Sequence, residues 1–262
     1  MRTIVFATLA FFASAVVALG GASDWFVTEG ARMRLVVNDK AENDGTFRGA
    51  LEIDLLPGWK TYWRDPGDAG IPPTVDVANS TNISAVEIAF PAPGWFSDSY
   101  STWAGYKQAL AFPLTFTAED PEVAARVVAD VFLGVCKDIC IPVQTEFSAD
   151  ANPQAGSSHP VVDAAFDALP PAANDTFGLS AARLEGDMLV ATAHLPDGRT
   201  ETDLFLAGSK GWYFGVPELS HTDDGTLTVR VSLLETPKET SGSFHYTLVS
   251  DKAAVSGLLI LK

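Results

Sequence analysis

The sequence predicts an all-β protein made of two tandem β-sandwiches. Apolar segments of strand length recur at intervals of about ten residues, and turns rich in Gly, Pro, Asn and Asp separate them. No capped helical run precedes residue 160, and strand signals resume after a linker-like segment. We therefore expect a first sandwich over residues 23–150, a linker over 151–159 and a second sandwich over 160–262.

Residues 1–22 have the composition of an export signal. Arg2 supplies a positive start, residues 4–19 are apolar, and small residues follow at 20–22. The apolar run is a little short for a membrane span, and no later stretch approaches one. We expect a cleaved leader and a periplasmic location, where a cysteine pair can be oxidised. A leader kept as a membrane anchor is the alternative.

Several segments of the first half have the pattern of strands. In residues 46–55, the side chains of Phe47, Leu51, Ile53 and Leu55 fall on one face, as expected for a strand that lies on a core. The other strands predicted in this half cover residues 25–37, 84–89, 110–117 and 123–135.

Composition and charge restrict the class of function. The chain has 262 residues, 47% of them hydrophobic, which is ample for packed cores. Its 17 basic and 33 acidic residues give a formal net charge of −16. A surface this acidic repels phosphate backbones, so we expect no nucleic-acid partner.

The two cysteines of the chain, Cys136 and Cys140, lie between two apolar segments. A disulfide requires Cα atoms roughly 4.4–6.8 Å apart, whereas four residues of continuous strand span about 13 Å. The pair can therefore close only if residues 137–139 reverse the chain. The flanks at 131–135 and 141–147 favour a β-hairpin with the two sulfurs facing each other across its turn, and Pro142 argues against a helical turn.

Such a short bridge is a weak structural constraint. Chain entropy gives this ring about 2 kcal/mol, compared with about 4.7 kcal/mol for a loop of 100 residues. We therefore favour a redox-active pair, because small or exposed disulfides tend to be the reducible ones. The alternatives are a local clip on the hairpin, and Cu(I) or Zn²⁺ binding, for which two thiolates without further ligands leave the metal under-coordinated.

Residues 57–73 form a predicted loop of the first sandwich that is dense in aromatic and charged side chains. It combines aromatic side chains, including Tyr62, with the charged residues Arg64, Asp65 and Asp68. These charged groups are candidates for shifting the pKa of a cysteine thiol or receiving its proton. The alternative is an ordered connection whose aromatic rings pack on the edge of the sandwich.

Residues 91–106 form a second aromatic loop. Bulky rings can cover a reactive sulfur and move away when a partner docks, so we expect a lid here. Half-buried loop packing is the alternative. The candidates in this loop are Trp95, Phe96, Asp98, Tyr100 and Tyr106.

Four short motifs carry a family resemblance. They are Gly-Val-Cys-Lys-Asp-Ile-Cys-Ile-Pro (134–142), Pro-Gly-Trp-Lys-Thr-Tyr-Trp-Arg-Asp-Pro-Gly-Asp-Ala-Gly-Ile-Pro-Pro (57–73), Phe-Pro-Ala-Pro-Gly-Trp-Phe (90–96) and Gly-Tyr-Lys (105–107). Together they resemble the periplasmic amino-terminal (alpha) region of DsbD/ScsB-type thiol–disulfide interchange proteins. The membrane and thioredoxin-like portions of the full interchange proteins are absent from this sequence.

The resemblance implies immunoglobulin-like sandwiches, two in tandem as in the ScsB branch, and a catalytic pair formed by Cys136 and Cys140. It implies that Tyr62 lies near the pair and that a cap loop has its tip at residues 96–100. The implied partners are a membrane-embedded thiol reductase of the DsbD, ScsB or CcdA kind and periplasmic thioredoxin-fold or other disulfide clients. Reducing equivalents would pass between them without a cofactor. A non-catalytic binding module, either a metal-handling dithiol or an adaptor, is the alternative.

The second half carries no cysteine and no evident chemistry. Residues 149–158 have linker composition, and a short helix is expected over 159–169, with Pro160 in its first turn. The four histidines are scattered without metal-type spacing, so we expect no metal site. Docking or spacing is the expected task of this half. Its predicted strands cover residues 179–184, 188–195, 203–207, 227–233, 244–250 and 255–261.

Overall fold

Nearly all regular structure in the described part of the computed structural model is β-strand, which confirms the all-β prediction. The structure describes residues 21–67, 69–99, 101–196, 201–208, 211–221, 226–236, 242–251 and 253–261. Residues 1–20, which hold nearly all of the predicted leader, lie outside the described residues.

The first half forms two facing antiparallel sheets and one small additional sheet. The large sheet has the strand order β1-β2-β3-β9-β6, the facing sheet β11-β10-β5, and the small sheet β4-β8-β7. The strands are β1 (Phe26–Thr28), β2 (Ala31–Ala41), β3 (Thr46–Leu55), β4 (Thr61–Gly67), β5 (Thr74–Asp76), β6 (Ile83–Ile88), β7 (Gly94–Ser97), β8 (Thr102–Tyr106), β9 (Leu110–Ala118), β10 (Ala125–Cys136) and β11 (Cys140–Ala151).

The core of the first sandwich follows from strand alternation. Phe47, Leu51 and Ile53 of β3 are fully buried, while Leu55 at the end of the strand is half-buried. They pack in one cluster with the inward residues of β10, among them Val131. The two sheets therefore enclose a single apolar layer, as in other β-sandwiches.

The small sheet corrects the prediction of two aromatic loops. Residues 57–73 contain β4, and residues 91–106 contain the hairpin of β7 and β8. An isolated bridge joins Lys60, just before β4, to Cys136 at the end of β10. The small sheet therefore lies directly beside the cysteine pair.

The second half forms another pair of antiparallel sheets. One has the order β12-β13-β17-β15, with β16 also paired to β17, and the other has the order β14-β18-β19. Its core is separate from that of the first sandwich. The strands are β12 (Gly178–Glu185), β13 (Met188–His194), β14 (Thr202–Ala207), β15 (Tyr213–Phe214), β16 (Glu218–His221), β17 (Leu227–Glu235), β18 (Gly242–Ser250) and β19 (Ala253–Leu261).

The predicted helix is present as α1 (Pro160–Asp167). His159 caps it, since its Nδ1 accepts the Val161 N–H at 3.2 Å. The helix packs on Val36 and Ala50 of the first sandwich, whereas the predicted domain boundary places it with the second. Among the described residues, no helix is both long enough and apolar enough to cross a membrane.

The connection between the two halves is fastened to the first sandwich. The carboxylate of Asp39 in β2 accepts the backbone N–H of Asn152 at 2.9 Å and the hydroxyl of Ser157. Ala151, predicted as the first linker residue, is fully buried at the end of β11. The free connection is therefore shorter than its composition indicated.

Candidate functional site

Cys136 and Cys140 close a disulfide at the end of the longest hairpin. They face each other as the last register pair of β10 and β11, with Cα atoms 4.2 Å apart. The Lys137 N–H donates to the Ile139 carbonyl at 3.1 Å and completes the turn. The hairpin predicted from the spacing of the cysteines is confirmed.

The two cysteines have very different surroundings. Cys136 is 1% exposed, whereas Cys140 is exposed and follows Ile139, which is 73% exposed. The backbone of Cys136 is held on both sides, because its N–H donates to the Lys60 carbonyl at 2.9 Å and its carbonyl accepts the Lys60 N–H at 2.8 Å. An incoming protein can therefore reach the sulfur of Cys140 far more easily than that of Cys136.

Tyr62 lies against the exposed cysteine. Its ring is 2% exposed, and its hydroxyl is 3.1 Å from the Cys140 sulfur. A sulfur in a disulfide carries no hydrogen, so the hydroxyl is the donor. Burial, and secondarily the charge of Asp98, raises the pKa of Tyr62. The hydroxyl therefore stays protonated and able to donate to this sulfur.

A glycine makes room for the Tyr62 ring. A Cβ on Gly134 of β10 would lie 3.0 Å from the Cβ of Ile71 and 3.2 Å from the Cε2 of Tyr62, closer than ordinary packing allows. The backbone of Gly134 is also fully paired, since its N–H donates to the Ile71 carbonyl at 3.1 Å and its carbonyl accepts the Thr61 hydroxyl at 2.9 Å. The glycine thus lets β4 lie close to the cysteine hairpin.

Phe96 and Trp103 cover the buried cysteine. Trp103 of β8 is buried in one cluster with Tyr62 and Cys136, and Phe96 of β7 packs against this cluster. The Phe96 and Trp103 rings lie 5.9 Å apart. We call the hairpin of β7 and β8, residues 94–106, the cap hairpin, because its rings close one side of the cysteine pair.

Lys60 connects the cap hairpin to the rest of the site. Its Nζ lies 3.2 Å from the centroid of the Trp103 ring and 3.6 Å from the Asp98 carboxylate, and its side chain is 11% exposed. Burial lowers the pKa of Lys60, and the charge of Asp98 opposes that shift. On the other side, Lys107 lies 4.2 Å above the Phe96 ring. Two lysines therefore make cation–π contacts with the cap hairpin, Lys60 with the Trp103 ring and Lys107 with the Phe96 ring.

Four predicted site residues make their contacts elsewhere. Arg64 lies 4.7 Å above the Phe90 ring, and Asp65 accepts the Gly67 N–H at 3.2 Å. The Tyr106 hydroxyl donates to the Pro91 carbonyl at 2.8 Å, and Trp95 stacks on Phe205 of the second sandwich. These contacts correct the expectation that Arg64 and Asp65 face the thiols and that Trp95 and Tyr106 cover them. Asp68 and Tyr100 lie outside the described residues.

Lys60, Trp103 and Thr61 are site residues that the sequence analysis did not select. All three are buried and contact the cap hairpin or the cysteine hairpin. The only signal in the sequence was their place within the two aromatic segments. Among the described residues, no three His, Cys, Asp or Glu side chains are grouped so that they could hold a metal ion.

The fold and the site define a class of protein: a pair of β-sandwiches with an accessible disulfide at one end of the first. Residues 32–152 match the family model described as thiol:disulfide interchange protein DsbD, N-terminal. The match covers residues 32–152, so this part of the chain is similar to the DsbD amino-terminal family. The family and the closed cysteine pair support a thiol–disulfide interchange module.

One solved structure supports the same fold. The N-terminal periplasmic domain of ScsB from Proteus mirabilis matches with a TM-score of 0.71 and 19% sequence identity, over 92% of this chain and 98% of that chain. A chimeric titin Z1Z2 matches at 12% identity, with a TM-score of 0.20, over 92% of this chain and 96% of that chain. No curated protein matched the sequence.

Proposed function

We propose that this protein relays reducing equivalents by thiol–disulfide exchange at Cys136 and Cys140. The observation that carries the proposal is the difference between the two sulfurs. Cys140 is open to a partner and contacts the Tyr62 hydroxyl, whereas Cys136 lies beneath the cap hairpin. Exchange through a mixed disulfide needs one accessible sulfur to attack and a second, protected sulfur to resolve.

The exchange begins from the reduced pair. The thiolate of Cys140 attacks one sulfur of the client disulfide, forms a bond to it and releases the other client sulfur as a thiolate. Cys136 then attacks the Cys140 sulfur, its proton passes to the released client thiolate, and the second client sulfur leaves. Two electrons move to the client, and the 136–140 bond closes. Because Tyr62 donates to the Cys140 sulfur, it favours the attacking thiolate.

A reduced membrane partner resets the pair by the same steps in reverse. The family implies a membrane-embedded thiol reductase as donor and periplasmic thiol clients as acceptors. We propose that the leader at residues 1–22 directs the chain to the periplasm, and that the clients have a thioredoxin fold or another exchangeable disulfide.

Trapping of the mixed disulfide tests the relay. A Cys136→Ser variant keeps the attacking sulfur and lacks the resolving one, so after mixing with an oxidised thioredoxin-fold client it should accumulate a covalent adduct. The Cys140→Ser variant is the matched control, and it should accumulate far less because its remaining sulfur is covered. Non-reducing gels and mass spectrometry measure both adducts.

The reduction potential separates relay from a structural clip. Equilibration with glutathione followed by thiol alkylation should give a potential within the exchangeable range, whereas structural bridges resist reduction below about −300 mV. A bridge that resistant, or no adduct with either single variant, would overturn the proposal.

A further inference from the structure

One aromatic residue of the second sandwich is buried in the first. Phe205 of β14 is 0% exposed and belongs to the core cluster of the first sandwich. Its ring stacks on Trp95, with centroids 5.1 Å apart and planes at 17°, and meets the Trp63 ring edge-on at 5.9 Å. The contact therefore joins β14 to two strands of the small sheet, β4 and β7.

Alternation along β14 shows that this contact is separate from the second sandwich's own packing. Leu204 and Leu206 belong to the core of the second sandwich, whereas Phe205, between them, points the opposite way. Without the first sandwich, the Phe205 ring would lie exposed on the surface of the second.

The same strand carries the contact and part of the cap. In β7, Trp95 pairs with Ala104 and the next residue, Phe96, pairs with Trp103. Successive side chains of a strand point to opposite faces. Trp95 therefore faces the second sandwich, where its Nε1 also donates to the Leu204 carbonyl at 3.1 Å, while Phe96 packs toward the cysteine pair.

We propose that the second sandwich positions the cap hairpin, and that Phe205 is the positioning residue that keeps Phe96 and Trp103 closed over Cys136. The inference rests on the proposed function for its consequence, since a closed cap directs exchange to Cys140 and keeps other thiols from the Cys136 sulfur. Removal of the Phe205 contact frees one face of β7, so the cap hairpin opens more often and the buried Cys136 sulfur becomes a second point of attack for small thiols.

A rate measurement on the full chain tests this role. Phe205→Leu removes the ring that contacts Trp95, whereas Phe244→Leu is the matched control, a fully buried phenylalanine of the second sandwich's own core. The rates are measured with dithiothreitol in excess, at a temperature where circular dichroism shows both variants to be folded. The disulfide of Phe205→Leu should then be reduced about fivefold faster than that of the parent. The disulfide of Phe244→Leu should be reduced at the parental rate.

A milder variant keeps the proposal falsifiable if Phe205→Leu does not fold. Trp95→Phe keeps an aromatic ring on Phe205 but removes the donor to the Leu204 carbonyl, and we expect its disulfide to reduce about twofold faster. Equal rates in the parent and this folded variant, or equal acceleration by Phe205→Leu and Phe244→Leu, would overturn the positioning role.

The outcome is distinguishable from failure of the relay. If dithiothreitol reduces Phe205→Leu faster but no client forms an adduct with Cys136→Ser, the second sandwich positions the cap although the relay proposal falls. If clients exchange normally and the dithiothreitol rates are equal, only the positioning role is lost.

Discussion

Tyr62 is the side chain best placed to influence the chemistry of Cys140. Its hydroxyl contacts the sulfur directly, and burial keeps that hydroxyl protonated. A buried donor that meets a developing negative charge stabilises it more strongly than water-exposed donors do, because the surroundings screen less. The tyrosine therefore acts on the open state of the pair rather than on the closed bond.

Replacement of Tyr62 by phenylalanine tests this role. The variant keeps the ring that packs on Gly134 but loses the donor, so the reduced protein should exchange with a disulfide client about tenfold more slowly near neutral pH. The difference should narrow at alkaline pH, where the thiolate forms without help. Stopped-flow exchange with an oxidised client measures both rates. The exposed Tyr213→Phe change is the control, and an equally slow control would contradict the role.

The Lys60–Asp98 ion pair holds the tip of the cap hairpin. Asp98 is partly exposed, so the pair is worth less than about 1 kcal/mol, and Asp98→Asn should raise the rate of disulfide reduction by dithiothreitol about two- to threefold. Added salt should bring the parent toward the variant, because salt screens exposed charges. Asp150→Asn breaks the ion pair with Arg126, which lies at the far end of the hairpin of β10 and β11, and this variant should be reduced at the parental rate.

Only part of the candidate site could be predicted from sequence. The spacing of Cys136 and Cys140 allows a disulfide only if the chain reverses between them, so the hairpin could be predicted. Lys60 was not selected, because a lysine is usually exposed; its burial depends on Trp103, which is 43 positions away and reaches it only through the pairing of β4 with β8. No local pattern encodes such a contact.

At the scale of elements, long regular strands were predicted well and short irregular ones were not. The predicted strand over residues 46–55 agrees with β3, whose apolar side chains alternate along its length. The sequence of β4 predicts a loop, because it contains Pro66 and Gly67; in the structure its register with β8 shifts between Tyr62 and Gly67. β15 and β16 have two and four residues, too few for a periodic signal.

The cap of α1 predicts a pH dependence of stability. Burial, and then the charge of Arg34, lowers the pKa of His159 below its usual 6.5, while Glu52 and Asp163 oppose the shift. Between the two pKa values the unfolded chain binds more protons, so this contribution to stability is present above pH 6.5 and is lost as the pH falls toward the lower, folded-state pKa. Protonation also removes the Nδ1 acceptor of the cap.

A His159→Asn variant isolates this contribution. Asparagine is a good helix-capping residue and does not titrate, so at neutral pH the free energy of unfolding should stay within about 1 kcal/mol of the parent. Below pH 6.5 the variant should lose stability less steeply, as measured by urea unfolding across the pH range. Burial also lowers the pKa of His245, so part of the slope should remain. An unchanged slope would show that His159 does not contribute.

At the scale of the whole molecule, we expect the fold to persist without its disulfide. The bridge closes a five-residue ring at one end of a sandwich whose core is continuous without it. Chain entropy gives such a ring about 2 kcal/mol, which for a protein of this size corresponds to a Tm shift of about 4–8 °C.

Thermal unfolding in excess reductant measures that shift. We expect a modest decrease in Tm with unchanged far-ultraviolet circular dichroism, and a Cys136→Ser/Cys140→Ser double variant should give a similar Tm with or without reductant. A loss of folded structure on reduction would instead identify the bridge as a structural clip.

The backbone at Cys136 has little freedom to respond to redox chemistry. Its amide and carbonyl are both committed to Lys60, and two residues earlier Gly134 is committed to Ile71 and Thr61. Any rearrangement after the bond opens must therefore be absorbed by Cys140 and the turn at residues 137–139. An isotope or fluorescent label at Ile139 should report the oxidation state of the protein, whereas a label at Val135 should stay silent.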